Sequence, residues 1–443
     1  MWKKIAFALS AAIIALFAFL YWQVNKAQQE ITQLLNQQGI VFEDLSTDFF
    51  PQPAINLQQA KYIADNRFIR AKQIRLELHL LPTLIGQTRF KQIGLQDGVT
   101  QNPDYHSINL SLKPTALYKE DLPDLIHFFK YREMRDQSSD KWNVEITLSA
   151  QNPQDDRVEV YLNTTLQPAG LRFADAKLHV RLARPAYADK QDFSLYLSKG
   201  YIGKSAQQGV DYEINGVTRV NDEDLGYVSA KVFSPNETRP SYLASFTADA
   251  CERCNTMIEL KKSAPHKRIV SLRSEYFPLE TLLKAFRLPV FAGGKGDIEA
   301  ELQFDRLQPE RGRFLINVEQ GKLQGLNFLQ LVSQYLPINY SQTNELATPY
   351  ERFIAVFRWH KQGLLIDDLH LRNKDLLIFG RGRVELDKML CDVRLNIGID
   401  EPQYQNLSLP MHFFDSCYSP QYKIEINKGL RDQLKHFLKE KLN

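Results

Sequence analysis

The sequence predicts a mainly β protein: an N-terminal transmembrane helix, an antiparallel sheet, a few short helices and a C-terminal amphipathic helix. Three observations carry that prediction. Apolar and polar residues alternate with period two over most of the chain. One long apolar run stands at the N-terminus. Helical spacing is confined to short stretches.

The run is Ile5–Trp22, in which Ser10 is the one polar side chain before Tyr21 and Trp22. As a helix it extends about 27 Å at about 1.5 Å per residue, close to a bilayer core of about 30 Å. Lys3 and Lys4 precede it, so the positive-inside rule keeps residues 1–4 cytoplasmic and puts residues 23–443 on the far side. A cleavable signal peptide is the competing reading. It needs small residues where Phe17, Phe19, Leu20, Tyr21 and Trp22 stand, so an uncleaved anchor over 5–22 is preferred. Val24, Ala27, Ile31, Leu34 and Leu35 then form one helical stripe that Gly39 ends.

From Ile40 onward the period is two. Ile74, Leu76 and Leu78 alternate with charged and polar neighbours, as do Ile108 and Leu110. The pattern repeats at Val144, Ile146 and Leu148, at Val158, Val160 and Leu162, and at Val180 and Leu182. It recurs at Leu195, then at Leu302 and Phe304, at Phe314, Ile316 and Val318, and at Leu395 and Ile397. Such alternation describes half-buried antiparallel strands with one apolar and one polar face. Short helices are predicted at Asp121–Arg132, Pro278–Phe286 and Leu326–Leu336. A terminal helix is predicted over Gly429–Leu442, with Leu430, Leu434, Phe437 and Leu438 on one stripe and Lys435, Lys439 and Lys441 beside it. No Gly/Ser/Pro-rich linker divides the chain, and the charge-rich stretches 132–141 and 221–224 read as loops.

An alternating strand must hide its apolar face. A two-sheet sandwich, a closed barrel and a long sheet curved around its own interior all achieve this. Composition by itself favours the sandwich, whereas the absence of domain breaks favours the curved sheet. About 20 strands at about 4.8 Å each would extend roughly 95 Å, and their apolar inner face would suit acyl chains.

A net charge of +3 on 443 residues argues against a nucleic-acid binder. Four cysteines are too few for a disulfide scaffold. Cys251 and Cys254 form a C-x-x-C, readable as a redox pair or a local disulfide; the surrounding strand pattern favours the disulfide. A Cys391–Cys417 bridge is compatible with the sequence, and a zinc site lacks a second C-x-x-C. The nine histidines form no metal spacing. His79 and His179 read as solvated residues on polar strand faces. Gly293, Gly294 and Gly296 lack the P-loop pattern and read as a turn before the strand at Ile298. Asp367 and Asp368, adjacent in a strand, are expected on opposite faces. No catalytic constellation, cofactor motif or metal site emerges, so a non-enzyme is expected.

Two regions resemble the AsmA-like family of bacterial envelope proteins. Residues 1–115 carry the first: after the anchor and helix come GIVFEDLSTDFFPQPAINLQQAKYI (Gly39–Ile63) and FIRAKQIRLELHLLPTLIGQTRFKQIGLQDG (Phe68–Gly98). The second covers Phe277–Ile399, including FPLETLLKAFRLPVFAGGKGDIEAELQF and a stretch broken by Gly363, Gly380 and Gly382. The resemblance is one of element order, and about 116–270 shows generic alternation alone. It implies a family-like region over 23–130, a central β-rich region over 131–270 and a C-terminal family-like region over 271–443.

The resemblance also implies an inner-membrane anchor, a periplasmic body and kinship with chorein-type repeating-β-groove lipid transfer proteins. Together with the absence of domain breaks, the resemblance favours a long curved antiparallel sheet forming an apolar groove over the sandwich, with the alternating residues named above as candidate groove residues and phospholipids and the inner membrane as partners. The function implied is phospholipid binding or conduction towards the outer membrane. The chain is shorter than the larger members, which leaves a shorter bridge or a path completed by outer-membrane or envelope protein partners. The alternative is a periplasmic scaffold or assembly factor that affects outer-membrane protein insertion through protein contacts.

Overall fold

The computed structural model of the chain describes residues 2–37, 39–49, 51–64, 67–100, 105–115, 142–167, 170–183, 192–325, 327–336, 338, 346–361, 363–402, 407–425, 431 and 435. Among these, 23 strands form one antiparallel sheet, and helices are few. The predicted helix Asp121–Arg132 lies outside the described residues. So does the predicted terminal helix, apart from Arg431 and Lys435, both helical.

Two compact units divide the chain: Met1–Arg181 with Tyr196–Lys204, and Leu182–Leu195 with Ser205–Asn443. The first opens with α1 (Trp2–Gln37). Among the described residues no helix is long and apolar enough to cross a membrane. Gly39 adopts φ 76°, and its N–H donates to Asn36 O at 3.0 Å, so the chain leaves the helix through a left-handed residue that glycine allows without strain.

The strands of this unit are β1 (Ile40–Val41), β2 (Asp44–Asp48), β3 (Ala54–Ala64), β4 (Arg67–Leu78), β5 (Phe90–Thr100), β6 (His106–Pro114), β7 (Trp142–Gln151), β8 (Arg157–Gln167) and β9 (Gly170–Arg181). β1 and β2 both pair with β3, and each later strand pairs with the one before it through β9. β10 (Asp192–Lys204) contributes residues 196–204 here and 192–195 to the second unit. Helix α2 (Leu80–Leu84) interrupts the connection from β4 to β5. α1 lays Ala27, Ile31 and Leu35 onto Ile55, Leu57, Leu76, Leu78 and Phe90, all buried. A fully buried Leu or Ile contributes roughly 1.5–3 kcal/mol, so this cluster secures the helix to the first strands.

The second unit continues as β11 (Tyr212–Val220), β12 (Glu223–Phe233), β13 (Tyr242–Ala248), β14 (Cys251–Lys262) and β15 (Lys267–Pro278). It then runs through β16 (Ala292–Asp305), β17 (Gln308–Gln324), β18 (Ala347–His360), β19 (Gly363–Arg372), β20 (Leu376–Glu385), β21 (Leu390–Ile399), β22 (Ser408–Ser416) and β23 (Gln421–Ile424). Consecutive strands pair throughout. Helices α3 (Leu279–Ala285) and α4 (Phe328–Val332) press Leu279, Leu283, Phe328 and Val332 into a core with Phe353, Ile378, Ile397, Leu409 and Phe413. α3 lies within the predicted Pro278–Phe286. α4 is shorter than the predicted Leu326–Leu336, because the chain turns after Ser333; Asn327 caps its start by accepting the Gln330 N–H at 2.9 Å.

The glycine cluster is not a turn before the Ile298 strand. Gly293, Gly294 and Gly296 lie within β16. Gly294 has φ 148° where the register shifts, and a Cβ on Gly296 would collide with the Asn317 carbonyl. Close approach of β17, rather than chain reversal, requires glycine at 294 and 296.

Candidate functional site

Every second side chain of a strand lies on one face, and the registers of the first unit align those faces into rows. Leu45, Leu57, Ile74, Leu95, Leu110, Leu148, Val160 and Leu178 are successive cross-strand partners from β2 to β9. Seven strand steps of about 4.8 Å make this row about 34 Å long. Leu57 is buried, while the other seven are half-buried. A neighbouring row joins Ile55, Leu76, Ile93, Leu112, Ile146, Leu162 and Ala176.

The opposite face is charged. Arg75 donates to Asp48 at 2.7 Å and to Glu77 at 3.0 Å, Lys113 meets Glu145 at 3.3 Å, and His179 lies 3.6 Å from Glu159. Hydrogen bonds from Asn56 and then Arg75 hold the Asp48 carboxyl below its ordinary pKa.

The two ends of the apolar face differ. Leu76 and Leu78 are sealed under α1, and Val144 is buried with Leu112 and Leu166. Ile74, Ile108, Leu110, Ile146, Leu148, Val158, Val160, Leu162 and Val180 are half-buried. α1 covers β3 to β5, so the rows through β6 to β9 keep part of their apolar surface in contact with solvent. Val158 and Val180 share a further row with Ala150.

In the second unit, Ile298, Ile316, Ala355, Leu369, Gly380, Leu395, Met411 and Ile424 form one row. Val318 and Ile397 lie in the next. Ile316, Val318, Leu395 and Ile397 are buried in the core beneath α3 and α4, closed to any ligand. Leu302, Phe304 and Phe314 are half-buried on the same face; Leu182, after β9, and Leu195, on β10, are half-buried as well.

A half-buried row not singled out from sequence runs through Tyr212, Val232, Ala244, Ile258 and Leu272. Its signal was present in the alternation of Val228, Ala230 and Val232 and of Ala244 and Phe246, within the region that showed generic alternation alone. In the next row the buried pair Thr256 and Ser274 hold their hydroxyls 2.6 Å apart and satisfy each other, and Ser274 pairs on to Ile298.

Disulfides join Cys251 to Cys254 and Cys391 to Cys417. Among the described residues no group of His, Cys, Asp or Glu is arranged to hold a metal ion. An open cleft of about 700 Å³ at one end of β16 to β20 gathers Arg311, Arg313, Arg358 and Arg383 around Trp359 and Leu364. Arg358 is engaged with Asp367 and Arg383 with Asp392.

Two side-chain placements differ from the sequence reading. Asp367 and Asp368 share the polar face, because a register shift between Ile366 and Leu369 breaks the alternation. Asp367 accepts from Arg358 Nε at 2.5 Å, and Asp368 pairs with His370 Nε2 at 2.7 Å. The Arg358 hydrogen bond holds the Asp367 carboxyl below its usual range. His79 is not on a strand face but half-buried at the N-terminus of α2; burial, then Lys91 and Arg89, lower its pKa.

Comparison with known proteins adds kinship. The chain is 24% identical over 447 residues to an uncharacterized protein of Haemophilus influenzae, covering 99% of this chain and 100% of that one. It is 22% identical over 191 residues to Protein AsmA of Escherichia coli. The chain is distantly similar to AsmA. That match spans 39% of this chain and 31% of AsmA. No family model and no solved structure matches.

Proposed function

We propose that this is a non-enzymatic, single-pass inner-membrane protein whose periplasmic body binds or conducts phospholipids between inner and outer membrane. The observation that carries the proposal is the uninterrupted row from Leu45 to Leu178, all Leu, Ile or Val, half-buried over β6 to β9. The distant AsmA similarity supports it, as do Ile13, Ile14, Leu16, Phe17 and Phe19, which α1 leaves exposed.

Each acyl methylene removed from water contributes about 0.8 kcal/mol, and the attraction is non-directional. A row of aliphatic side chains therefore holds an acyl chain without fixing its register, so the chain can slide from strand to strand. The head group stays in water, because burying an unpaired phosphate is costly. Net movement then follows a difference in lipid chemical potential and needs no catalytic residue.

The test is lipid mass spectrometry of the purified full chain, together with photo-crosslinkers at Leu110 and Ile146 on the apolar face and at Glu145 on the polar face. Lipid captured at Leu110 and Ile146 supports the proposal. Protein captured at Glu145, with no lipid at the other two and none co-purifying, replaces it with the scaffold reading.

A further inference from the structure

The short helix α2 has its polarity inverted. Leu81 and Ile85, four residues apart and therefore on one face, are 75% and 71% exposed, whereas Thr83 is 2% exposed. Thr83 Oγ1 donates to His79 O at 2.8 Å, which makes its burial tolerable. A helix stabilised by its own core would bury the leucine and isoleucine instead.

The surroundings of this turn point to what covers it. α2 packs beside α1. Gly86, just after α2, has φ 78° and lies against Gln23, the residue after Trp22. Leu81 and Ile85 are thus carried at the level of Tyr21 and Trp22, which are themselves exposed. Phe49 joins the same group, its ring centroid 5.2 Å from that of Tyr21. Tyr and Trp at the end of an apolar helix mark the level of lipid head groups. The segment from His79 to Lys91 carries Arg89 and Lys91 and no Asp or Glu, a composition suited to anionic lipid.

We infer that α2 is a second membrane contact: Leu81 and Ile85 insert into the head-group region of the bilayer that α1 enters, with Arg89 and Lys91 facing anionic phosphates. The occupant is a phospholipid bilayer, because the patch is continuous with the exposed apolar surface of α1. This rests on the anchoring reading above. It adds that the sheet stands at the bilayer on two points, with the connection from β4 to β5 at the membrane surface beside the start of the apolar rows.

The test uses the full chain in phosphatidylethanolamine–phosphatidylglycerol vesicles, with an environment-sensitive fluorophore on Ile85→Cys. Phe17→Cys and Glu237→Cys serve as references in α1 and on the exposed β12–β13 loop; the native cysteines are held in disulfides. The expected result is a blue-shifted emission from position 85, quenched by lipids carrying a quencher near the head group at least half as strongly as position 17. Quenching at 85 no greater than at 237, with position 17 quenched, overturns the α2 contact and leaves the anchor standing. A probe at position 17 that is not quenched overturns the anchor, and this inference with it.

Discussion

The hydroxyl of Tyr350 on β18 donates a 2.9 Å hydrogen bond to the carbonyl of Gly293 on β16, passing over the intervening strand β17. The approach is possible because Gly321 of β17 has no side chain; a Cβ there would collide with both groups. Burial raises the Tyr350 pKa, so the phenol remains a donor.

Tyr350→Phe keeps the ring against Phe353 but leaves the Gly293 carbonyl without this donor. The expected loss is about 1–2 kcal/mol, read from the denaturant midpoint. Gly321→Ala should cost more, since it displaces backbone as well as the hydrogen bond.

Asn221, in the left-handed region at φ 51°, ties three segments of the second unit together. Its Nδ2 donates to Ala285 O at 2.7 Å, satisfying the end of α3, and its Oδ1 accepts from Ser194 N at 2.8 Å. Asn221→Ala should destabilise the protein by about 2–3 kcal/mol through lost hydrogen bonds and backbone strain. Asn221→Gly should recover the strain component alone, and the difference between the two midpoints isolates it.

Leu148→Asp puts a charge in the middle of the long apolar row while remaining half-buried, so the fold is expected to persist. On the lipid reading, co-purifying phospholipid should fall several-fold. Ser149→Asp, on the opposite face of the same strand, should leave it unchanged. Equal lipid content in both variants would contradict a role for the row.

Acid should act in two windows. The His79 pKa is lowered from 6.5, so the unfolded chain binds the proton more readily and stability drops as pH falls below 6.5 towards the folded value. Asp48 is lowered from 3.8; its contribution is complete above 3.8 and disappears as pH falls through its folded value. His79→Gln should flatten the first window, and Asp48→Asn should reduce the second, which the lowered carboxyls of Asp367 and Asp392 share, in midpoints measured across pH.

The strands are legible in the residue pattern. Residues such as Leu110, Leu148 and Val160 announce their shared face through period two, because a strand offers side chains two directions and water selects between them. The pattern also marks the buried stripe of α1, since Val24, Ala27, Ile31 and Leu35 recur at helical spacing. Where local chain geometry departed from the period, the prediction failed: the register shift beside Asp367 and Asp368 and the glycines of β16 both depend on a neighbouring strand.

Which apolar residues are closed off and which are left half-open depends on packing between elements. Leu76 and Leu148 read alike in sequence, yet α1 covers the first and not the second. In the same way nothing in the spacing of Leu81 and Ile85 marks them as exposed, and their exposure appears only once α2 is set beside α1. Alternation records which face of a strand avoids water. It carries no information about what another element, or a lipid, lays upon that face.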